Sequence, residues 1–344
     1  MNINYNIPLR AFNTFKMDVT AACMVEYSSI EELKAFFEDN RLSGEIPLPF
    51  LHIGGGSNLL FTKDFTGTIL HSSIKFIENK GNGKVRVGSG VLWDDFCLYV
   101  ASQNLWGAEN LSLIPGEVGA AAVQNIGAYG REVKDIIESV ECYDIIEHKE
   151  VIFNNTDCAY SYRDSFFKQD GKGRYIVTAV NFNLSETYAP CIDYGHIRES
   201  LEKIQNNEEL TPTKIRETII DIRKNKLPDP AEIPSAGSFF RNPFVLPQQY
   251  ISVKDIAEKD GLGDVPHFIM PNGTVKIPSA WLIEKCGWKG FKSGNAGVYE
   301  KQPLVIINLT GKATPEEILS MERKIVDSVK NRFGILLLPE VEHI

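Results

Sequence analysis

The chain has 344 residues, of which 43% are hydrophobic and 24% are charged. This composition predicts packed cores in two or three domains and argues against disorder. The formal net charge of −9 argues against a nucleic-acid binder, which would be basic, and no apolar run reaches the ~18 residues of a membrane span.

The cysteines and histidines argue against disulfides and metals. The six cysteines are scattered and form no CxxC pair, which is typical of free thiols in a reducing cytoplasm. Residues 1–10 lack a basic region followed by an apolar one, so no secretory signal is expected. The six histidines show neither HxxxH nor HExxH spacing, so we predict no metal site.

The first half of the chain predicts alternating helices and strands. Apolar residues recur on one face of a helix at 28–40, which a serine would cap, and of a second helix at 94–104. The inward positions are Leu33, Phe36 and Phe37 in the first, and Phe96, Val100 and Leu105 in the second. Apolar or alternating segments predict strands at 50–53, 68–71, 85–87, 136–146 and 175–184.

The second half begins with a well-marked helix. Thr211 and Pro212 predict its start, and the run 227–230 (Leu-Pro-Asp-Pro) predicts its end near Lys226, where we place a domain boundary. Thr314 and Glu317 form a capping box that opens another helix, which Gly334 would end. Other elements predicted here are a short helix at 279–286, a strand at 305–309 and a buried strand at 335–341.

Two runs of small residues are the most informative segments. Glycine lets main-chain N–H groups approach a ligand closely, and a strand followed by a glycine loop can cradle a phosphate. Two such runs about sixty residues apart suggest one long ligand with a central diphosphate, although a tight turn is the alternative for each run alone. Neither run has Walker A or GxGxxG spacing. The candidate residues are Gly54, Gly55, Gly56, Ser57 and Asn58 in the first run, and Pro115, Gly116, Gly119, Ala120, Gln124, Asn125, Gly127, Ala128, Tyr129 and Gly130 in the second.

Further motifs complete a distinctive set. They are Tyr162-Arg163-Asp164-Ser165, the run 226–230, Ala236-Gly237-Ser238-Phe239-Phe240-Arg241-Asn242-Pro243, the run 281–287 and Pro339-Glu340-Val341. In this order and spacing the chain resembles the UDP-N-acetylenolpyruvoylglucosamine reductase family, flavoenzymes of bacterial peptidoglycan precursor synthesis. The resemblance runs from the first helix to the last strand. Tyr194-Gly195, with the long segment 172–207, resembles the type that carries an extra tyrosine-bearing loop.

The resemblance implies an α+β protein with a vanillyl-alcohol-oxidase-like (PCMH-type) FAD-binding fold. Two α+β domains would hold FAD, at 1–72 (joined by a C-terminal strand at 335–344) and at 73–226. A third α+β domain at 227–334 would bind substrate. FAD would be noncovalent and lie on the two glycine-rich runs. NADPH and the enolpyruvyl sugar nucleotide would take turns in one site, in a cytoplasmic monomer with no nucleic-acid or membrane partner.

The resemblance also implies three catalytic residues. Hydride from reduced flavin would reach the terminal carbon of the enolpyruvyl group, and negative charge would develop towards its carboxylate. Arg163 and Glu340 would stabilise that charge, the glutamate only if it carries a proton. Ser238 would then donate a proton to the neighbouring carbon. Taken singly, each has an ordinary alternative: a surface ion pair with Asp164, a turn serine and a solvated chain end.

Four residues would contact the substrate by the same resemblance, namely Tyr194, Lys226, Asn242 and Gln302. The helix at 214–226 carries five basic against two acidic residues, which suits a ligand with a diphosphate and a carboxylate. Two positions depart from the family pattern. Phe268 stands where a tyrosine is common, and Glu342 where a basic residue is frequent, so substrate contacts there are in doubt.

Two rival functions remain open at this point. One is another flavoenzyme of the same fold, such as an alcohol oxidase. Many of those attach FAD to His or Cys, and neither glycine run contains such a residue. The other is a non-catalytic UDP-sugar sensor, against which the joint presence of Arg163, Ser238 and Glu340 argues.

Overall fold

The structure is a computed structural model that describes residues 1–39, 46–194, 197–204 and 209–344. Two compact units compose it, and the chain passes between them several times. The first unit contains 1–7, 21–55 and 65–225, and the second contains 8–20, 56–64 and 226–344. The division into three domains predicted above stays a prediction.

The helices and strands are numbered in chain order. The helices are α1 (Ile30–Glu38), α2 (Trp93–Ser102), α3 (Val118–Gln124), α4 (Ile197–Ile204), α5 (Pro212–Lys226), α6 (Pro247–Lys259), α7 (Ser279–Lys285) and α8 (Pro315–Phe333). The strands are β1 (Asn2–Pro8), β2 (Thr20–Tyr27), β3 (Phe50–Ile53), β4 (Leu59–Leu60), β5 (Phe65–Ser72), β6 (Ile77–Gly81), β7 (Lys84–Gly88), β8 (Gly127–Ala128), β9 (Arg131–Glu132), β10 (Ile137–Asp144), β11 (Lys149–Asn154), β12 (Tyr175–Asn183), β13 (Phe244–Val245), β14 (Phe268–Ile269), β15 (Val275–Lys276), β16 (Lys292–Ser293), β17 (Ala296–Val298), β18 (Ile306–Asn308) and β19 (Glu342–His343).

The first unit is built on two sheets. One has the order β1-β2-β5-β3, in which β5 pairs in parallel with both β2 and β3. Helix α1 buries Leu33, Phe36 and Phe37 in a core shared with this sheet. Parallel strands end at the same edge of a sheet, and the glycine run at 54–56 follows β3 directly at that edge.

The second sheet of this unit is antiparallel, with the order β11-β10-β12-β7-β6. Helices α2 and α3 bury apolar side chains in the same core as its strands. Within it Trp93 and Phe96 pack on Phe182, and the Trp93 indole donates to the carbonyl of Leu111 at 2.8 Å. This core holds α3, and with it the second run of small residues, in place.

The second unit has small sheets and one long helix. Its sheets have the orders β13-β15-β14 and β16-β17-β18, and a parallel pair joins β19 to β4. Helix α8 begins with a complete capping box between Thr314 and Glu317 and ends at Gly334, whose φ is +68°. The C-terminal residues are thus hydrogen-bonded beside the segment that follows Gly56.

Most predicted elements are present, several with shorter ends, whereas the strands predicted at 68–71 and 85–87 are longer. The predicted serine cap of α1 is confirmed: it is Ser29, whose hydroxyl accepts from the N–H of Glu32. The predicted end at Asn40 lies outside the described residues. The cap at Thr211 is confirmed, since its hydroxyl accepts from the N–H of Lys214.

Two expectations about secondary structure were wrong. The run 115–130, taken as a continuous loop, contains α3, because its alanines favour a helix. No strand forms at 335–341, although burial alternates there: Ile335 and Leu337 are buried while Leu336 and Leu338 are exposed. Only Pro339 makes an isolated bridge, to Phe240, and the true strand is β19.

Candidate functional site

The first glycine run leaves β3 and meets the second run within the first unit. A Cβ at Gly54 would lie 3.0 Å from the Ala120 Cβ and 3.2 Å from a carboxylate oxygen of Glu117. A Cβ at Gly55 would meet only the Gly116 Cα, at 3.6 Å. The two runs therefore lie in contact, through the Ala120 and Glu117 side chains at Gly54 and through the main chain at Gly55. A close approach of two such runs is what the predicted phosphate-bearing ligand would need.

Gly119 explains why α3 can lie so close to the neighbouring strand. Its N–H donates to the carbonyl of Ser89 at 2.9 Å, and a Cβ there would lie 2.8 Å from the Ser89 Cβ. Gly116 has a φ of +125°, which an L side chain rarely adopts. The small residues at these positions thus allow α3 to begin close to Ser89.

The end of the second run forms a short hairpin of β8 and β9. Asn125, at a φ of +43°, caps α3 and bonds through its amide to Glu132 and to the carbonyl of Ser161. At Gly130 a Cβ would lie 3.2 Å from the Cβ of Tyr194. The hairpin therefore packs against the segment that carries the predicted substrate-covering tyrosine. Gly195, the next residue, lies outside the described residues.

Arg163 is fastened to this same hairpin. Its guanidinium donates to the carbonyl of Gly127 at 2.6 Å and to that of Asn125 at 3.5 Å. Its backbone has a φ of +56°, an uncommon conformation for a non-glycine residue. These constraints fix the guanidinium next to the proposed cofactor-binding run.

Arg223, on α5, is a candidate that sequence analysis did not single out. It is hydrogen-bonded to the Tyr129 phenol, and its Nε is a buried donor without a partner. Burial lowers the pKa of Arg223, and the charge of Arg163 lowers it further. A buried guanidinium whose charge is disfavoured in this way would gain from an anionic partner. In the sequence, the only indication of Arg223 was the excess of basic residues along α5. That excess did not distinguish Arg223 from its exposed neighbours.

The second unit contains the rest of the first glycine run. Gly56 has a φ of +61°, and a Cβ there would lie only 2.0 Å from the carbonyl oxygen of Phe12. Asn58 donates through its amide to the carbonyl of Glu340 at 3.1 Å, and its own carbonyl accepts from the N–H of Glu342. Ser57, between Gly56 and Asn58 in the sequence, is half-buried.

Two of the predicted catalytic residues come together in this unit. Ser238 is half-buried and precedes Phe239, whose carbonyl accepts from the N–H of Glu340 at 2.8 Å. The N–H of Phe239 in turn donates to the carbonyl of Leu304 at 2.8 Å. The backbone thus holds Ser238 beside the segment of Glu340, although they are about a hundred residues apart in the sequence.

The predicted substrate contacts in this unit have distinct surroundings. The Asn242 side chain accepts from the N–H of Ser279 at the start of α7. Gln302 is 9% exposed and accepts weakly from the N–H of Leu304, next to the Ser238 segment. Lys226 is exposed at the end of α5. Gln302 is therefore tied by its neighbour Leu304 to the segment of Ser238.

The two departures from the family pattern also lie in this unit. Phe268 is 44% exposed, and the Lys276 ammonium lies 5.0 Å from the centre of its ring. Glu342 belongs to β19 and pairs with Leu59. Its main chain therefore takes part in this strand pairing.

Three observations bear on the cellular context. All six cysteines are free thiols. Among the described residues, no cluster of three or more His, Cys, Asp or Glu could hold a metal ion. In the same part of the chain, no helix is both long and apolar enough to cross a membrane.

Comparisons with known proteins give a consistent result. A model of an FAD-binding domain matches residues 21–145, and a model of the C-terminal domain of UDP-N-acetylenolpyruvoylglucosamine reductase matches 229–344. A reductase of that name from Bacteroides fragilis is 47% identical over 98% of both chains. One from Porphyromonas gingivalis is 40% identical over the full length of both.

A solved structure supports the same fold. The crystal structure of UDP-N-acetylenolpyruvylglucosamine reductase from Thermus caldophilus matches with a TM-score of 0.69 at 22% identity, over 100% of this chain and 99% of its own. With the FAD-binding domain model, this confirms the predicted α+β FAD-binding fold.

The chain is thus an FAD-dependent oxidoreductase by class. Its own residues fit that cofactor, since a Cβ at Gly55 would meet nothing nearer than the Gly116 Cα at 3.6 Å, which leaves open space beside the main chain there. The identity over nearly the whole length decides the family: the chain belongs to the UDP-N-acetylenolpyruvoylglucosamine reductases.

Proposed function

We propose that this chain reduces UDP-N-acetylglucosamine enolpyruvate to UDP-N-acetylmuramate with electrons from NADPH, in peptidoglycan precursor synthesis. The full-length likeness to curated reductases, at 47% identity, is the observation that carries the proposal. When bound, FAD would supply the hydride-transfer chemistry between NADPH and the enolpyruvyl group. The residues proposed to hold it are those of the runs 54–58 and 115–130.

Arg163 is proposed to stabilise the negative charge that develops towards the substrate carboxylate. A guanidinium stays charged at all physiological pH values and presents donors in a fixed fork. Its bonds to the carbonyls of Asn125 and Gly127 restrict its motion, so little reorganisation is needed during the reaction. Arg223 supplies a second positive charge nearby and is proposed to assist it.

Ser238 is proposed to donate the proton that completes the reduction. A serine hydroxyl is a weak acid and works only against a strong base such as an enolate. Glu340, whose N–H donates to the Phe239 carbonyl beside this segment, is proposed to act with Arg163. An ionised carboxylate there would repel the developing charge.

The remaining roles extend the proposal to the ligands. Tyr194 and Lys226 would bind the substrate diphosphate, and Asn242 and Gln302 the rest of the sugar nucleotide. NADPH and substrate would alternate in one site, so steady-state plots should show parallel lines with inhibition by excess of either substrate. We propose a cytoplasmic monomer, in keeping with the free thiols.

The first experiment measures NADPH oxidation with and without the enolpyruvyl sugar nucleotide. Substrate-dependent oxidation is expected, with release of free FAD when the protein is denatured. A protein that binds the sugar nucleotide but never oxidises NADPH in response would instead be the sensor. Flavin that stays attached after denaturation would favour the covalent oxidases.

The second experiment separates the half-reactions of Ser238→Ala by stopped flow. Flavin reduction by NADPH needs no proton from Ser238, so its rate should stay close to that of the wild type. Reoxidation by the enolpyruvyl substrate should slow by ~10²–10⁴, the usual contribution of a positioned general acid. Ser252→Ala, an exposed serine on α6, is the matched control. Equal slowing of both half-reactions would show that Ser238 is only a turn residue.

A further inference from the structure

A histidine held between two carboxylates lies beneath the first glycine run. His71 is near the end of β5, and its side chain is 13% exposed. Its Nε2 is 3.0 Å from a carboxylate oxygen of Glu117, and its Nδ1 is 3.3 Å from one of Glu26. Neither the proposed chemistry nor the backbone cradle uses this cluster.

The geometry favours the doubly protonated ring. Only an imidazolium can donate from both nitrogens, whereas a neutral ring would turn one lone pair towards a carboxylate. Burial acts against the charge, but the hydrogen bonds and charges of Glu117 and Glu26 outweigh it and raise the pKa of His71. The other titratable groups facing the cluster are His52 and Tyr27, which bond to each other. Burial and the charge of His71 lower the pKa of His52 to about 3, so that ring is neutral.

Glu117 connects this cluster to the glycine runs. It is 7% exposed, immediately precedes α3, and has a carboxylate oxygen 3.2 Å from the Cβ position of Gly54. An ionised carboxylate so close to the main chain of Gly54 would repel an anionic ligand on that loop. The imidazolium of His71, on the other side of Glu117, offsets this charge and fixes the carboxylate in one orientation.

We propose that His71 is a positioning residue for FAD, which as an imidazolium orients Glu117 against Gly54 and balances its charge beside the loop that receives the diphosphate. The inference rests on the proposed placement of FAD on the runs 54–58 and 115–130. The contribution of His71 to FAD affinity is full below its raised pKa and is lost as the pH rises through that pKa.

The test is FAD binding by flavin-free protein, followed by quenching of flavin fluorescence between pH 6 and 9.5. His71→Gln should weaken FAD binding about tenfold at pH 6.5, the equivalent of one pKa unit. The double variant His71→Gln/Glu117→Gln should recover most of the lost FAD affinity, because the buried carboxylate that needs a neighbouring cation is then gone. His148→Asn, an exposed histidine of the same unit at a φ of +50°, is the matched control and should bind as the wild type does.

NMR titration of His71 in the wild type provides a measurement that needs no variant to fold. Its pKa should rise when FAD binds, and wild-type affinity should fall over the pH range in which the ring loses its proton. An unchanged His71 pKa on FAD binding would overturn the inference, as would a double variant that binds no better than His71→Gln. Gly55→Val tests the placement of FAD separately: if it binds FAD normally, the loop assignment is wrong irrespective of His71.

Discussion

Gly55 and Gly56 are adjacent, yet substitution at Gly56 should lower the stability of the protein, whereas substitution at Gly55 should lower its affinity for FAD. At Gly56 a side chain must adopt a φ of +61° and would place its Cβ 2.0 Å from the Phe12 carbonyl oxygen. The left-handed backbone alone costs about 1–2 kcal/mol, and relief of the clash adds about 1–3 kcal/mol. Gly56→Ala should therefore destabilise the flavin-free protein by about 3 kcal/mol.

Gly55→Val should leave the fold intact and release the flavin. The new Cβ would meet only the Gly116 Cα, at 3.6 Å, and a residue with fewer unfolded conformations can raise stability by up to about 1 kcal/mol. The branched side chain would instead occupy the space of the ligand. Each charge-assisted hydrogen bond lost contributes about 1.5–3 kcal/mol, so FAD should bind roughly 10–100-fold more weakly for each.

The assay pairs thermal unfolding of flavin-free protein with flavin fluorescence titration. Stability should fall for Gly56→Ala alone, and affinity per folded molecule should fall for Gly55→Val. Wild-type FAD affinity in Gly55→Val would refute the cradle. An unchanged unfolding temperature in Gly56→Ala would refute the account of the Phe12 contact.

Three further predictions concern substrate binding and stability. Tyr194→Phe should raise the KM for the sugar nucleotide and spare flavin reduction by NADPH; equal losses in both half-reactions would make Tyr194 structural. The hydrogen bonds from Arg174 lower the pKa of the buried Asp144 to about 2. Asp144→Asn should therefore lower the free energy of unfolding, measured in urea at pH 7, by at most about 2 kcal/mol. The difference between variant and wild type should narrow as the pH falls from 4 towards 2, because the Asp144 carboxylate then becomes protonated. No difference at pH 7 would mean that solvent fully screens the pair. Thr314→Ala should cost about 1 kcal/mol by removing the acceptor for the Glu317 N–H, and an unchanged urea midpoint would contradict this.

Local chemistry made much of the fold predictable. Capping residues such as Thr314, and the Leu-Pro-Asp-Pro run after α5, act on neighbouring backbone groups, so their effects are visible in the sequence. The glycine run after β3 was predictable for the same reason, because an apolar strand and a loop with small residues are adjacent in the chain.

Features that depend on distant partners were not predictable from pattern alone. Leu337 alternates with exposed neighbours as a strand would, but the backbone bonds of this region are made with Phe239 and Arg241, about a hundred residues earlier in the chain. The significance of Arg223 arises from Tyr129 and Arg163, which are far away in sequence. His71 gains its partners only when β2 and β5 pair and α3 approaches.

The interleaved course of the chain has a consequence for synthesis on the ribosome. Every segment of the first unit precedes residue 226, whereas the second unit needs 8–20 and 56–64 together with everything after Asn225. The two early strips of the second unit bond to each other between Thr14 and Gly56, but β4 must wait for its partner β19 until the C-terminal residues emerge. A single cut after Asn225 would leave those strips on the wrong fragment, so the two units cannot be exchanged between relatives at one crossover point.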